Sequence, residues 1–193
     1  MKSRIKKCLL SSVENFTYVL NDPNIHIKIE KIIELSIKAL RNDKKMLFCG
    51  NGGSASDAQH LAAELSGKFY VDRPPLNAEA LHVNSSFITA VANDYGYDEI
   101  YSRMLQASGR AGDILIAIST SGNSTNVIKA IKKAKEIGII TIGLTGKKTG
   151  DMDSICDVII KAPTNDTPRV QEMHILIGHI ICQLIEEKMF PNA

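Results

Sequence analysis

From residue 46 onward, short apolar runs alternate with longer stretches whose apolar residues recur every three or four positions. The runs Met46–Cys49, Ala78–His82, Ile114–Ile118, Ile140–Leu144 and Val158–Lys161 predict five strands. The periodic stretches predict helices over Ser54–Leu65, Ser85–Val91, Glu99–Ala107, Ser124–Ile137 and Pro168–Lys188. Mostly apolar strands separated by helices indicate an α/β fold, with a parallel sheet covered on both faces. Ligands in such sheets bind beyond the carboxyl ends of the strands. Three loops follow predicted strand ends: Gly50–Ser54, Ser119–Ser124 and Thr145–Gly150.

Residues 3–20 and 25–42 predict two further helices, joined at Asp22-Pro23-Asn24. The expected organisation is one domain over 1–193, a helical hairpin (1–42) leading into an α/β core (43–193). In the second helix, Ile27, Ile29, Ile32, Ile33, Leu35, Ile37 and Leu40 leave little polar surface. That pattern predicts burial on several sides, including a subunit interface.

The 193 residues carry 23 basic and 21 acidic side chains, a net charge of +2. This balance makes no electrostatic case for nucleic acid or a membrane surface as partner. The lysines Lys129, Lys132, Lys133 and Lys135 read as a solvated helix face. Cys8, Cys49, Cys156 and Cys182 lack metal-knuckle or redox spacing and suit a reducing cytoplasm. Cys8-Leu9-Leu10 is too short for a signal-peptide core, and no apolar run approaches the ~20 residues of a membrane span. The expected location is cytoplasmic.

Candidate chemistry lies in four places. In Gly50-Asn51-Gly52-Gly53-Ser54, a strand enters a glycine turn and leaves as a helix. Glycines let a ligand approach the backbone, and the helix start favours an anion. Asn51 can hydrogen-bond a sugar hydroxyl. Ser54 is expected to cap the helix, with Asp57 closing a capping box. His60 and Glu64, four apart, share a helix face. The turn matches neither the Walker A loop nor the dinucleotide fingerprint.

In Ser119-Thr120-Ser121-Gly122-Asn123-Ser124, four hydroxyls meet a helix N-terminus, a set of neutral donors for a phosphate. One such residue would suffice as a cap. Asn93-Asp94 reads either as a helix end or as a sugar-binding loop. In the last helix, Thr167 is the expected N-cap before Pro168. Gln171 and His179 point roughly 80° apart around it, so spacing favours Glu172 as the partner of His179. A histidine among apolar residues there, such as His174, is more often a core residue.

Together these segments resemble the sugar isomerase (SIS) domain family over nearly the whole chain. The resemblance rests on the glycine turn with His60 and Glu64, Ala92-Asn93-Asp94-Tyr95-Gly96, Ser119–Ser124, and Thr167-Pro168-Arg169-Val170-Gln171-Glu172-Met173-His174 with His179. It implies a three-layer, flavodoxin-like fold with a five-stranded parallel sheet, and a homotetramer whose core uses the N-terminal helices. It implies isomerisation of sedoheptulose 7-phosphate to D-glycero-D-manno-heptose 7-phosphate, toward the heptose of lipopolysaccharide or related surface glycans. By position, His60, Glu64, Gln171 and His179 would hold one zinc ion per subunit. Asn51, Gly52, Gly53, Glu64, Asn93, Asp94, Ser119, Thr120, Ser121, Ser124 and Gln171 would contact substrate. Glu64 and His179 would move protons. Lys68 and Asn84 depart from the family's usual arginine and aspartate.

Rival readings within the resemblance are a non-catalytic tetramer binding the replication initiator DnaA, a sugar-phosphate sensor without turnover, and an isomerase of another ketose phosphate. The DnaA-binding branch lacks the Glu and the second His, both present here.

Overall fold

The computed structural model describes residues 1–192. Two helices, α1 (Lys2–Asn21) and α2 (Pro23–Arg41), precede the sheet. Then follow β1 (Met46–Gly50), α3 (Gly53–Ser66), β2 (Ala78–Ala80), α4 (Ser85–Tyr95), α5 (Ile100–Ser108), β3 (Ile114–Ser119), α6 (Thr125–Ile137), β4 (Ile140–Thr145), α7 (Met152–Ile155), β5 (Val158–Lys161) and α8 (Thr167–Met189). All strand pairs are parallel, in the order β2-β1-β3-β4-β5.

Side chains alternate across the sheet, so each central strand feeds two cores. Met46, Phe48, Ile114, Ile116 and Ile118 pack with residues of α2, α3 and α8. Leu47, Cys49, Leu115 and Ala117 pack with residues of α5 and α6 on the other face. This is the three-layer arrangement expected. Strand order reverses between β1 and β3, which opens a crevice at their carboxyl ends. The glycine turn leaves β1 there and the serine loop leaves β3.

Several boundaries differ from expectation. β2 is three residues long, with Leu81 and His82 already in a turn. The four-residue α7 was not foreseen; it is too short for a periodic signal. The N-cap of α3 is Gly52, not Ser54, and it makes no side-chain cap. Gly52 has φ 55°, a conformation natural to glycine, which starts the helix earlier and buries Ser54 within its first turn. The N-cap of α8 is Asp166, one residue before Thr167.

The apolar face of α2 is satisfied largely within the chain: Ile25, Ile29, Ile32 and Ile33 are buried. The apolar stripe left open is on α1, where Ile5, Leu9, Val13, Phe16 and Leu20 are exposed, Leu20 at 71%. Their spacing of three and four forms one stripe. It borders a groove of about 720 Å³ whose walls include Phe16, Leu20, Ile29, Leu176 and Leu184.

Candidate active site

Helices α3 and α8 run side by side, and small residues let them approach. Leu61 lies where a Cβ on Gly178 would stand. This contact aligns the residues flanking it. His179 Nε2 meets His60 Nε2 at 2.9 Å, and His60 Nε2 lies 3.0 Å from Glu64 Oε1. One ligand atom from each of the three falls within 4.8 Å of the others. Burial and the neighbouring His60 lower the pKa of His179, while Glu64 raises it; the net direction is down. Two imidazoles and a carboxylate converging this closely form a donor set suited to a divalent metal. The aromatic ring of Phe69 packs 5.8 Å from that of His179, on the site's flank.

About two turns earlier along both helices, the Gln171 amide lies against Gly53. A side chain at position 53 would overlap it, which is why a glycine stands there. Gln171 thus sits at the glycine turn in this chain, and His60, Glu64 and His179 form the cluster at the far end of α3.

The serine loop is internally bonded. Ser119 Oγ lies 2.9 Å from Ser124 Oγ and 3.4 Å from Ser121 Oγ, and the Asn123 N–H donates to Ser121 Oγ at 3.1 Å. Ser124 is the N-cap of α6, yet its hydroxyl makes no cap bond. The loop after β4 buttresses this one: Gly146 N–H donates to Thr120 O, and Met152 N–H to Gly122 O, each at 3.1 Å. Side chains at Gly146 or Gly150 would collide with backbone of the serine loop.

The chain matches the SIS domain family model over residues 21–146. It is 50% identical to the phosphoheptose isomerase of Aneurinibacillus thermoaerophilus over 192 residues, 100% of this chain and 97% of that protein. It is also 50% identical to that of Clostridium acetobutylicum, covering 98% and 97%. The structure of phosphoheptose isomerase GmhA from Neisseria gonorrhoeae superposes with a TM-score of 0.90 at 40% identity, covering 96% of this chain and 98% of that one. The chain belongs to the SIS domain family, in its phosphoheptose isomerase branch. That membership makes it an isomerase.

Other residues of this SIS domain fall as follows. Asn93 and Asp94 lie in the last turn of α4, not in a loop after it; Gly96, with φ 90°, ends the helix. Asn93 Nδ2 donates to Asp94 Oδ1 at 2.8 Å, and both residues are exposed. Glu172 is turned away from His179: it accepts from Ser12 Oγ of α1 at 2.8 Å and pairs with Arg169. The seven-residue spacing placed Glu172 and His179 on one face, but α1 covers that face at Glu172. His174 is a core residue whose Nε2 donates to Thr145 O at 3.1 Å. Asn84 caps α4 through Phe87 N–H, a role an aspartate would fill equally. Lys68 is exposed.

Two features escaped sequence reading, and a third departs from it, since Asp57 does not close the expected capping box. Asp57, on the same face of α3 as Gly53, His60 and Glu64, has a buried Oδ2 with no hydrogen-bond partner among the described residues. Burial raises its pKa to about 6, against the lowering effect of His60. Tyr101, wholly buried, donates to Gly50 O at the mouth of the turn. Arg73 donates to the carbonyls of Glu64, Leu65 and Gly67 at 2.8–2.9 Å, closing the end of α3.

Proposed function

We propose that the protein converts sedoheptulose 7-phosphate to D-glycero-D-manno-heptose 7-phosphate through an enediol. The observation that carries this reading is the convergence of His179, from α8, on His60 and Glu64 of α3, the helix that starts at the glycine turn. The conversion moves a proton from carbon 1 of the ketose to carbon 2, and a hydroxyl proton from oxygen 1 to oxygen 2. Glu64 takes the proton from carbon 1 and returns it to carbon 2 on the same face of the enediolate. His179 carries the proton between the oxygens; burial and the neighbouring His60 hold its pKa below the usual imidazole value.

The phosphate is bound by Ser119, Thr120, Ser121 and Ser124 with the N-terminus of α6. Asn51, Gly52 and Gly53 form the floor beneath the reacting end, with Gln171 beside them. Asn93 and Asp94 meet the sugar from the end of α4. His60, Glu64 and His179 would hold zinc, which supplies Lewis-acid polarisation of the carbonyl when bound; Gln171 would complete the set only by leaving its place against Gly53. The exposed stripe on α1 supports a homotetramer built through the N-terminal hairpin. No helix among the described residues is long and apolar enough to cross a membrane, and the four cysteines are unpaired; a cytoplasmic setting agrees with both. The product would feed heptose for a surface glycan such as lipopolysaccharide.

The test is incubation of purified protein with sedoheptulose 7-phosphate and zinc, with the aldose followed by NMR. Turnover is expected, and Glu64→Gln is expected to lower it by about 10²–10⁴ with the assembly intact. Wild-type protein that forms no aldose with zinc supplied overturns the reading. The Glu64/His179 pair favours it over the DnaA-binding alternative.

A further inference from the structure

The glycine turn and the serine loop belong to different strands, yet one pair of side chains ties them together. Asn51, in the turn after β1, and Asn126, in the first turn of α6, face each other amide to amide. Asn51 Nδ2 donates to Asn126 Oδ1 at 2.8 Å, and Asn126 Nδ2 donates to Asn51 Oδ1 at 2.8 Å. Asn126 Oδ1 also accepts the Val127 N–H at 2.9 Å, which fixes its rotamer. Asn126 is 2% exposed. Burying an amide this deeply is favourable only when its groups are bonded, and here both ends are. A third partner enters from the rim: Tyr97, largely exposed, donates its phenol to Asn51 Oδ1 at 3.2 Å.

This arrangement changes the reading of Asn51. Both ends of its amide are committed within the protein, with a single N–H left over. Helix α6 carries the serine loop at its start, so Asn126 stands two residues beyond Ser124. A shift of the glycine turn relative to that loop breaks two hydrogen bonds in a buried setting. We propose that Asn126 is a positioning residue of the active site, which holds the glycine turn in fixed register with the serine loop through Asn51. This rests on the proposed assignment of the phosphate to the serine loop and of the reacting end to the glycine turn. A sugar phosphate anchored at one loop then meets the reacting groups beside the other without search. Loss of such alignment acts on turnover more than on phosphate binding, because a misplacement of about 1 Å can cost on the order of 10² in rate.

The experiment compares wild type with Asn126→Asp and Tyr97→Phe. Asn126→Asp keeps the shape and the bond to Val127 but sets an oxygen against Asn51 Oδ1. Tyr97→Phe alters only an exposed side chain and keeps the fold within reach of measurement if Asn126→Asp does not fold. Readouts are kcat and KM with sedoheptulose 7-phosphate, inhibition by inorganic phosphate, bound zinc and Tm. For Asn126→Asp, kcat is expected to fall roughly 30-fold, with the phosphate inhibition constant and zinc content within about twofold of wild type. For Tyr97→Phe, kcat is expected to fall a few-fold in the same pattern. Wild-type kcat in both variants overturns the proposal. So does a folded Asn126→Asp whose phosphate inhibition, zinc content and Tm decline together with its activity, since that marks a purely structural residue. An inactive wild type overturns the proposed conversion of sedoheptulose 7-phosphate, whereas an active wild type with equally active variants overturns only the role of Asn126.

Discussion

Arg73 Nε lies 2.9 Å from Glu186 Oε2, and both side chains are buried. Glu186 also accepts the N–H groups of Phe69, Tyr70 and Val71 at 2.7–3.2 Å. Burial alone would raise the Glu186 pKa, but those N–H groups and Arg73 outweigh it and hold it below the usual range. The pair therefore joins the end of α3, the following loop and α8. It sets the backbone of Glu64 and carries Phe69 against His179.

Removing Arg73 leaves a buried carboxylate without its cation. Arg73→Met is expected to cost about 3–5 kcal/mol of stability in urea denaturation. A cost under about 1 kcal/mol would show that the loop is held by the Glu186–backbone bonds alone.

His60→Ala removes the ligand that touches both Glu64 and His179. Zinc retained after dialysis, read by elemental analysis, is expected to fall well below one per subunit. Unchanged zinc would place the metal elsewhere.

His174 links acid pH to unfolding. Burial lowers its pKa to about 4, against an ordinary value of 6.5; the bond to Thr145 acts in the opposite sense. Below pH 6.5 the unfolded chain binds a proton that the folded chain refuses. Stability is thus expected to decline as pH falls from about 6.5 to about 4 and to lose no more from this group below that, roughly 3 kcal/mol in all. Denaturation across that range should show less of this loss in His174→Asn. Parallel pH curves for the two proteins would remove His174 as the cause.

The α1 stripe predicts assembly. Leu9→Glu with Phe16→Glu places charges on exposed apolar positions of one helix face. These variants are expected to sediment as a smaller species than wild type, with the helical content kept. A wild-type monomer, or variants with the wild-type mass, would show that α1 does not join subunits.

Strand and helix order was legible because apolar runs and three-to-four spacing are local properties of the chain. So were the three loops at strand ends and the His60/Glu64 pair, which one helix places together. The switch point was not legible, since parallel strands pair through register with distant residues. The same holds for His179. Its own helix suggested Glu172 as partner, yet Gly178 lets α3 approach and brings His60 instead. Neither Asn126, near the start of a helix, nor Arg73, in a loop, carried a local sign of its partner. By itself, the sequence determined which segments carry chemistry, because turn, cap and periodicity depend on neighbours a few residues away. Only the tertiary structure decided which of those segments meet, because close packing between α3 and α8, and between α6 and the glycine turn, is a property of pairs that no spacing along the chain encodes.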